Sequence, residues 1–122
     1  MTLALVIEDD EDLGIIFTKA LEAAKFTVKA FITAETAWDF MEQSPPQLVV
    51  LDLNLPGRSG HSILQEIRAD GRFTKTRIIL ATANHLLAQT LTDQADLVLV
   101  KPITFSQLRD LTSRLHDGMT AS

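Results

Sequence analysis

The sequence predicts an α/β domain built on a five-stranded parallel sheet with helices on both faces. Three observations lead there. Apolar runs alternate five times with stretches of helical spacing, an unbroken series of β-α units. Four of the five runs are apolar throughout, as strands are when both faces of a sheet are covered. Charged residues follow several runs at their C-terminal ends, where open α/β sheets collect ligands.

Leu3 to Ile7 reads as the first buried strand, and Leu13, Ile16, Phe17, Ala20, Leu21 and Ala24 follow helical spacing after it. Thr27 to Phe31 alternates polar and apolar residues, as an edge strand does. Ala34, Ala37, Trp38 and Met41 mark a second helix, stopped by Ser44-Pro45-Pro46 because proline cannot continue it. Trp38 is expected to pack that helix onto the sheet. Leu48 to Leu51 is the third strand, and Ile63, Leu64 and Ile67 mark a helix opened near Gly60 and closed near Gly71. Ile78 to Ala81 is the fourth strand, followed by a short helix with Leu86, Leu87 and Leu91. Leu97 to Val100 is the fifth, and Thr104 and Gln107 have capping-box spacing before a last helix carrying Leu108, Leu111 and Leu115. Residues 1–117 are read as one domain and 118–122 as a loose tail or a cut in a longer protein.

Composition excludes several classes. With 122 residues and 46% hydrophobic content, the chain can bury one real core. A net charge of −5 argues against direct nucleic-acid binding or attraction to anionic membranes. No cysteine is present, so disulfides and thiolate metal sites are excluded. No apolar stretch reaches the roughly 20 residues of a membrane span, and no basic leader precedes Leu3. The expectation is a cytoplasmic domain.

The polar groups at strand ends carry the chemistry. Glu8-Asp9-Asp10 follows strand one, Asp52 ends strand three, Thr82 ends strand four and Lys101 follows strand five. Crowded carboxylates repel and take up protons unless a cation sits between them. Magnesium suits Glu8, Asp9 and Asp52, because it takes one or two carboxylates and fills its other positions with water and phosphate oxygens. A backbone carbonyl just after Asp52 would add a ligand. Asp52 is either a ligand or a nucleophile that forms an acyl phosphate. Lys101 would serve as a point charge, on a carboxylate before phosphoryl transfer and on a phosphoryl oxygen after it. The Thr82 hydroxyl would donate to such an oxygen. Judged singly, each has a plainer explanation: a solvated acidic turn suiting a helix dipole, a β-branched strand residue, a surface lysine before Pro102. A cis Lys101-Pro102 bond, an isomer that about one X-Pro bond in twenty adopts, would turn the lysine into the cleft.

Together, Val6-Ile7-Glu8-Asp9-Asp10, Leu51-Asp52-Leu53-Asn54-Leu55-Pro56-Gly57 with Gly60, Ala81-Thr82-Ala83 and Lys101-Pro102 resemble the receiver domain of two-component response regulators, from Leu3 to about Leu115. The resemblance implies a flavodoxin-like fold with strand order 2-1-3-4-5. It implies Asp52 as phosphoacceptor, Asp9 as direct magnesium ligand, Glu8 acting through water and the Asn54 carbonyl as third protein ligand. It makes Thr82 the switch hydroxyl and Lys101 the phosphate-pairing lysine. A sensor histidine kinase or a histidine phosphotransfer protein would be the donor, and hydrolysis of the acyl phosphate would be slow. The Asn54 and Asn84 side chains would face the attacking water.

Four departures from that pattern lie on one face. Val98 replaces the usual aromatic, the stretch from Thr82 to Lys101 is short, Gln94-Ala95-Asp96 replaces a glycine, and Ile103 replaces a common phenylalanine. Family members use this face for dimers or partners, so a homodimer through the 84–115 face is one arrangement implied, with the output partner or effector domain unknown. Three other readings compete. A magnesium phosphatase with an aspartyl nucleophile would want an acid two residues on, where Asn54 stands. A pseudo-receiver would bind proteins without phosphorylation. A flavin module would need a phosphate-cradling loop, where Glu8-Asp9-Asp10 instead repels phosphate. His61 and His85 read as polar surface residues, and His116 as a residue at a helix C-terminus.

Overall fold

The computed structural model describes residues 2–57 and 59–120. Its elements are β1 (Leu3–Ile7), α1 (Glu11–Ala23), β2 (Thr27–Phe31), α2 (Ala34–Gln43), β3 (Leu48–Asp52), α3 (Gly60–Ala69), a 3-10 turn (Gly71–Phe73), β4 (Arg77–Thr82), α4 (His85–Thr90), β5 (Leu97–Val100) and α5 (Phe105–Thr120). The strands lie in the order β2-β1-β3-β4-β5 and every pair is parallel. This is the expected flavodoxin-like architecture.

Alternation along the central strands builds two cores. Leu5, Ile7, Val49, Leu51, Ile78 and Leu80 point to one face and meet Ala37 and Met41 of α2 and Ile63, Leu64 and Ile67 of α3. Ala4, Val6, Val50, Ile79 and Ala81 point to the other and meet Phe17, Ala20 and Leu21 of α1 and Leu108 of α5. Each fully buried aliphatic chain contributes about 1.5–3 kcal/mol, so the sheet centre is the rigid part of the fold. The edges are thinner. Thr27, Lys29 and Ala30 of β2 are exposed, and all four residues of β5 are half-buried although apolar, because β5 has a neighbour on one side only.

Some details depart from expectation. Trp38 packs on the first core, as expected, and also meets Phe73 of the 3-10 turn edge-on, ring centres 5.5 Å apart, so it braces α2 against the link between α3 and β4 as well. His116 lies a turn before the end of its helix and stacks edge-on against Phe26 at 5.0 Å. Helix α5 continues to Thr120, so 118–120 are helical rather than loose, and Met119 packs on the second core. Residues 121 and 122 of the expected tail lie outside the described residues. The Thr104 hydroxyl accepts the Gln107 N–H at 3.1 Å, which caps α5.

Candidate functional site

The site forms where β1, β3, β4 and β5 end. The main chain ties these ends together: Leu53 N–H donates to Ala81 O at 3.1 Å, and Lys101 N–H to Thr82 O at 2.8 Å. The acidic triplet then divides its labour. Asp10 caps α1 by accepting the Leu13 N–H at 3.1 Å. Glu8 and Asp9 face the cleft, and each brings a carboxylate oxygen into a group with one from Asp52, all within 4.8 Å of one another. Glu8 and Asp52 are buried, whereas Asp9 is exposed.

Lys101 reaches this group. Its Nζ lies 3.0 Å from Glu8 Oε1 and 3.4 Å from Asp52 Oδ1. The Lys101-Pro102 bond is cis. The Asn54 N–H donates to Asp52 Oδ1 at 2.9 Å and closes a turn just past the strand. Pro56 leads to Gly57 at φ +71°, a left-handed backbone that suits glycine. Gly60 opens α3 against the backbone of Asp52 and Leu53. A Cβ there would meet Leu53 Cα at 2.7 Å and the Asp52 carbonyl oxygen more closely still, so only glycine lets the helix approach the strand end.

The electrostatics are unbalanced. Burial first, then the hydrogen bond and charge of Asp52, push the Glu8 carboxyl up to about 8 against the pull of Lys101. Burial would raise Asp52 as well, but the Glu8 hydrogen bond, the Asn54 amide and Lys101 outweigh it and hold its carboxyl below the usual range. Burial would lower Lys101, yet its bond to Glu8 and the charges of Asp52 and Glu8 raise it. Lys101 at 3.0 Å favours an ionised Glu8; burial and the Asp52 charge oppose that, and they win. No donor among the described residues reaches the buried Glu8 Oε2. An orphaned carboxylate oxygen beside two other acids is a fit for a hard divalent cation with oxygen ligands.

The structure thus gathers Glu8, Asp9, Asp52 and Lys101 around one point. Thr82 is buried at the end of β4, next to the Ala81 that pairs with Asp52. Its hydroxyl accepts the Asn84 N–H at 3.0 Å. The Asn84 side-chain oxygen is turned to α4, where it accepts the Leu87 N–H at 3.0 Å, a cap role that sequence reasoning missed. The signal was available: an Asn just before a short apolar helix is a favoured N-cap. His61 and His85 are exposed, as expected.

Comparison with known proteins agrees with this geometry. Residues 4–113 match the model of the response regulator receiver domain. The chain belongs to that family. Among similar proteins is the transcriptional regulatory protein BaeR of Escherichia coli O6:H1, 34% identical over 79 residues, covering 65% of this chain and 32% of BaeR. Response regulator RppA of Synechocystis is 30% identical over 107 residues, covering 85% of this chain and 46% of RppA. The receiver therefore spans less than half the length of either relative. The BeF3-activated receiver domain of DrrB, a Thermotoga maritima protein, is 26% identical with a TM-score of 0.81, covering 96% of this chain and 98% of that one. No helix among the described residues is long and apolar enough to cross a membrane.

Proposed function

We propose that this receiver takes a phosphoryl group onto Asp52 from a phosphohistidine on a sensor kinase or phosphotransfer protein. The observation that carries the reading is the buried, unpartnered Glu8 Oε2 beside Asp52, Asp9 and Lys101. Asp9, Asp52 and the Asn54 carbonyl would hold magnesium, with Glu8 acting through water. When bound, the ion supplies charge neutralisation for the carboxylates and for one side of the phosphoryl group.

The remaining chemistry belongs to the chain. The Asn54 N–H and Lys101 both lie on Asp52 Oδ1, so Oδ2 is the oxygen we assign to attack. A bond forms between Oδ2 and phosphorus as the P–N bond of the donor breaks. Lys101 then exchanges a carboxylate for a phosphoryl oxygen, and Thr82 donates to another. No acid stands two residues after Asp52, so the only turnover we assign is slow self-dephosphorylation.

Ile15 of α1 is 53% exposed, and Ile32 after β2 is 57% exposed. That apolar flank favours a protein donor over a metabolite alone. Output falls to the 84–115 face, where Leu86 is 75% exposed and β5 is an open edge, toward a second copy or an effector domain. Residues 1–117 make up the receiver in this scheme. Labelling by radioactive acetyl phosphate in magnesium tests the chemistry. The native chain takes up label and Asp52→Asn takes up none. Full labelling of Asp52→Asn would move the acceptor elsewhere, and a native chain that neither labels nor responds to beryllofluoride would be a pseudo-receiver.

A further inference from the structure

The two edges of the sheet are protected unequally. β5 is half-buried along its whole length, whereas Thr27, Lys29 and Ala30 of β2 are exposed. Sheet edges are usually blunted by proline, bulges or repeated charge, because an open row of N–H and C=O groups templates another strand. β2 has a single charge, Lys29, and no proline.

The ladder with β1 shows which groups are open. Alternate residues of a parallel strand bond to a given neighbour. The Thr27 N–H donates to Thr2 O at 2.8 Å, and Phe31 O accepts the Glu8 N–H at 3.0 Å, so Thr27, Lys29 and Phe31 turn their main chain to β1. The N–H and C=O of Val28 and Ala30 therefore point out of the sheet, with no strand beyond them among the described residues. The side chains of this row turn to the α1 side. Val28 packs there on the second core, and Ala30 and Ile32 line an apolar cleft of about 450 Å³ with Val6, Ile15 and Thr18.

We propose that β2 pairs with β2 of a second copy of this chain, antiparallel about a two-fold axis at Ala30, which joins two sheets edge to edge. Charge selects the register and makes the edge complementary to itself. With Ala30 facing the second copy's Ala30, the two alanines exchange N–H···O=C bonds in both directions, and Val28 faces the second copy's Ile32 on the α1 side. Lys29 then faces the second copy's Phe31, and the exposed Lys25 approaches the exposed Glu35 of the other copy. A register centred on Lys29 would use the same open row but would set the two lysines directly opposite, which cross-strand pairing penalises. The contact is isologous, so each favourable pair occurs twice. β1 separates β2 from β3, so pairing leaves Asp52 open to a donor and needs no phosphoryl group on it. The second copy covers Ile32, and Ile15 of α1 is left to the donor.

Sedimentation equilibrium of the whole chain, without metal or phosphodonor, tests the pairing together with amide hydrogen exchange by NMR. The native chain should pass from monomer to dimer between about 10 μM and 1 mM. Over that rise the Ala30 amide should exchange about tenfold more slowly, while the Lys29 amide, already bonded to β1, stays unchanged. Ala30→Glu and Ala30→Lys, at an exposed position, should each remain monomeric, because the new charge meets itself across the axis. Mixed in equal amounts, the two variants should pair again. A native chain that stays monomeric throughout would overturn the proposal, and so would a mixture of the two variants that fails to pair. A dimer lost in Leu86→Glu but kept in Ala30→Glu would move the contact to the 84–115 face and overturn it too. Circular dichroism checks that the variants fold; where one does not, the contrast between the Ala30 and Lys29 amides of the native chain decides.

Discussion

Two polar clusters sit at opposite ends of one sheet, and they are built to opposite rules. At the amino ends of β4 and β5, Arg68 donates to Thr76 O at 3.1 Å, to Gln94 O at 2.8 Å and to Asp96 Oδ2 at 3.1 Å. Asp96 Oδ2 also accepts the Ile78 N–H at 2.7 Å, and its own N–H returns to Ile78 O at 2.9 Å. The guanidinium donors and the carboxylate answer one another. At the carboxyl ends, Glu8 and Asp52 share Lys101, Asp9 lies beside them, and no donor among the described residues reaches one buried oxygen of Glu8. A satisfied cluster stabilises a fold, whereas an unsatisfied one is retained where a ligand completes it. The amino end holds the fold together, and the carboxyl end has the donor set that could hold a cation.

The largest expected effect removes the satisfied cluster. Arg68→Met keeps the aliphatic stem and deletes the guanidinium, leaving the Thr76 and Gln94 carbonyls and the Asp96 carboxylate without it. Partial exposure lets water recover some of the loss, so about 2–3 kcal/mol of stability should go, read by urea unfolding. Labelling from acetyl phosphate should persist under native conditions. A variant as stable as the native chain would remove the structural half of the comparison.

The matching substitution at the other end should have the opposite sign. Glu8→Gln spares the metal-free fold the cost of protonating a buried Glu8 at pH 7. Its amide keeps an oxygen for Lys101 and gains a donor for Asp52. The metal-free protein should gain about 1–2 kcal/mol at pH 7 by urea unfolding, while magnesium binds more weakly. Loss of stability in this variant would mean that Glu8 belongs to a structural ion pair with Lys101, and the contrast between the ends would vanish.

These two ends were unequally legible in the sequence. Glu8, Asp9, Asp52 and Lys101 stood out because a charge directly after an apolar strand is anomalous by itself, and parallel topology brings all strand ends to one side. The Arg68–Asp96 clamp was not visible, since its partners lie 28 residues apart and each reads as an ordinary surface charge. Gln94-Ala95-Asp96 looked like a bare departure from the family pattern; in space it seats β5 on β4. Lys25 at φ 77° occupies a backbone position that a glycine would have announced. α5 runs on past Gly118 because Met119 packs on the core, a tertiary contact that outweighs glycine's poor helix propensity. Asn84 was placed at the site, where it lines a cleft with Asn54 and Thr82, but its cap on α4 went unread, because the cap depends on where α4 begins.

The smallest effect is set by pH. The folded Glu8 carboxyl sits at about 8 against an ordinary 4.5, so between those values the folded chain holds a proton that the unfolded chain releases. Its contribution to stability is complete below 4.5 and drains away as pH rises through 8. Asp52 shifts downward, so its contribution is in place above 3.8 and flat at neutral pH; Lys101 shifts upward, so its contribution is lost only above 10.5. Between pH 6 and 9 the unsatisfied end therefore loses stability with nothing at the site to offset it. Metal-free protein should melt a few degrees lower at pH 9 than at pH 7, a change of about 1 kcal/mol by calorimetry. If magnesium is held by the deprotonated acids as proposed, its stabilisation should grow over the same interval and flatten the profile. Glu8→Gln should flatten it without metal. A metal-free melting temperature that rose with pH would show Glu8 already ionised in the fold, and the two ends of the sheet would then be satisfied alike.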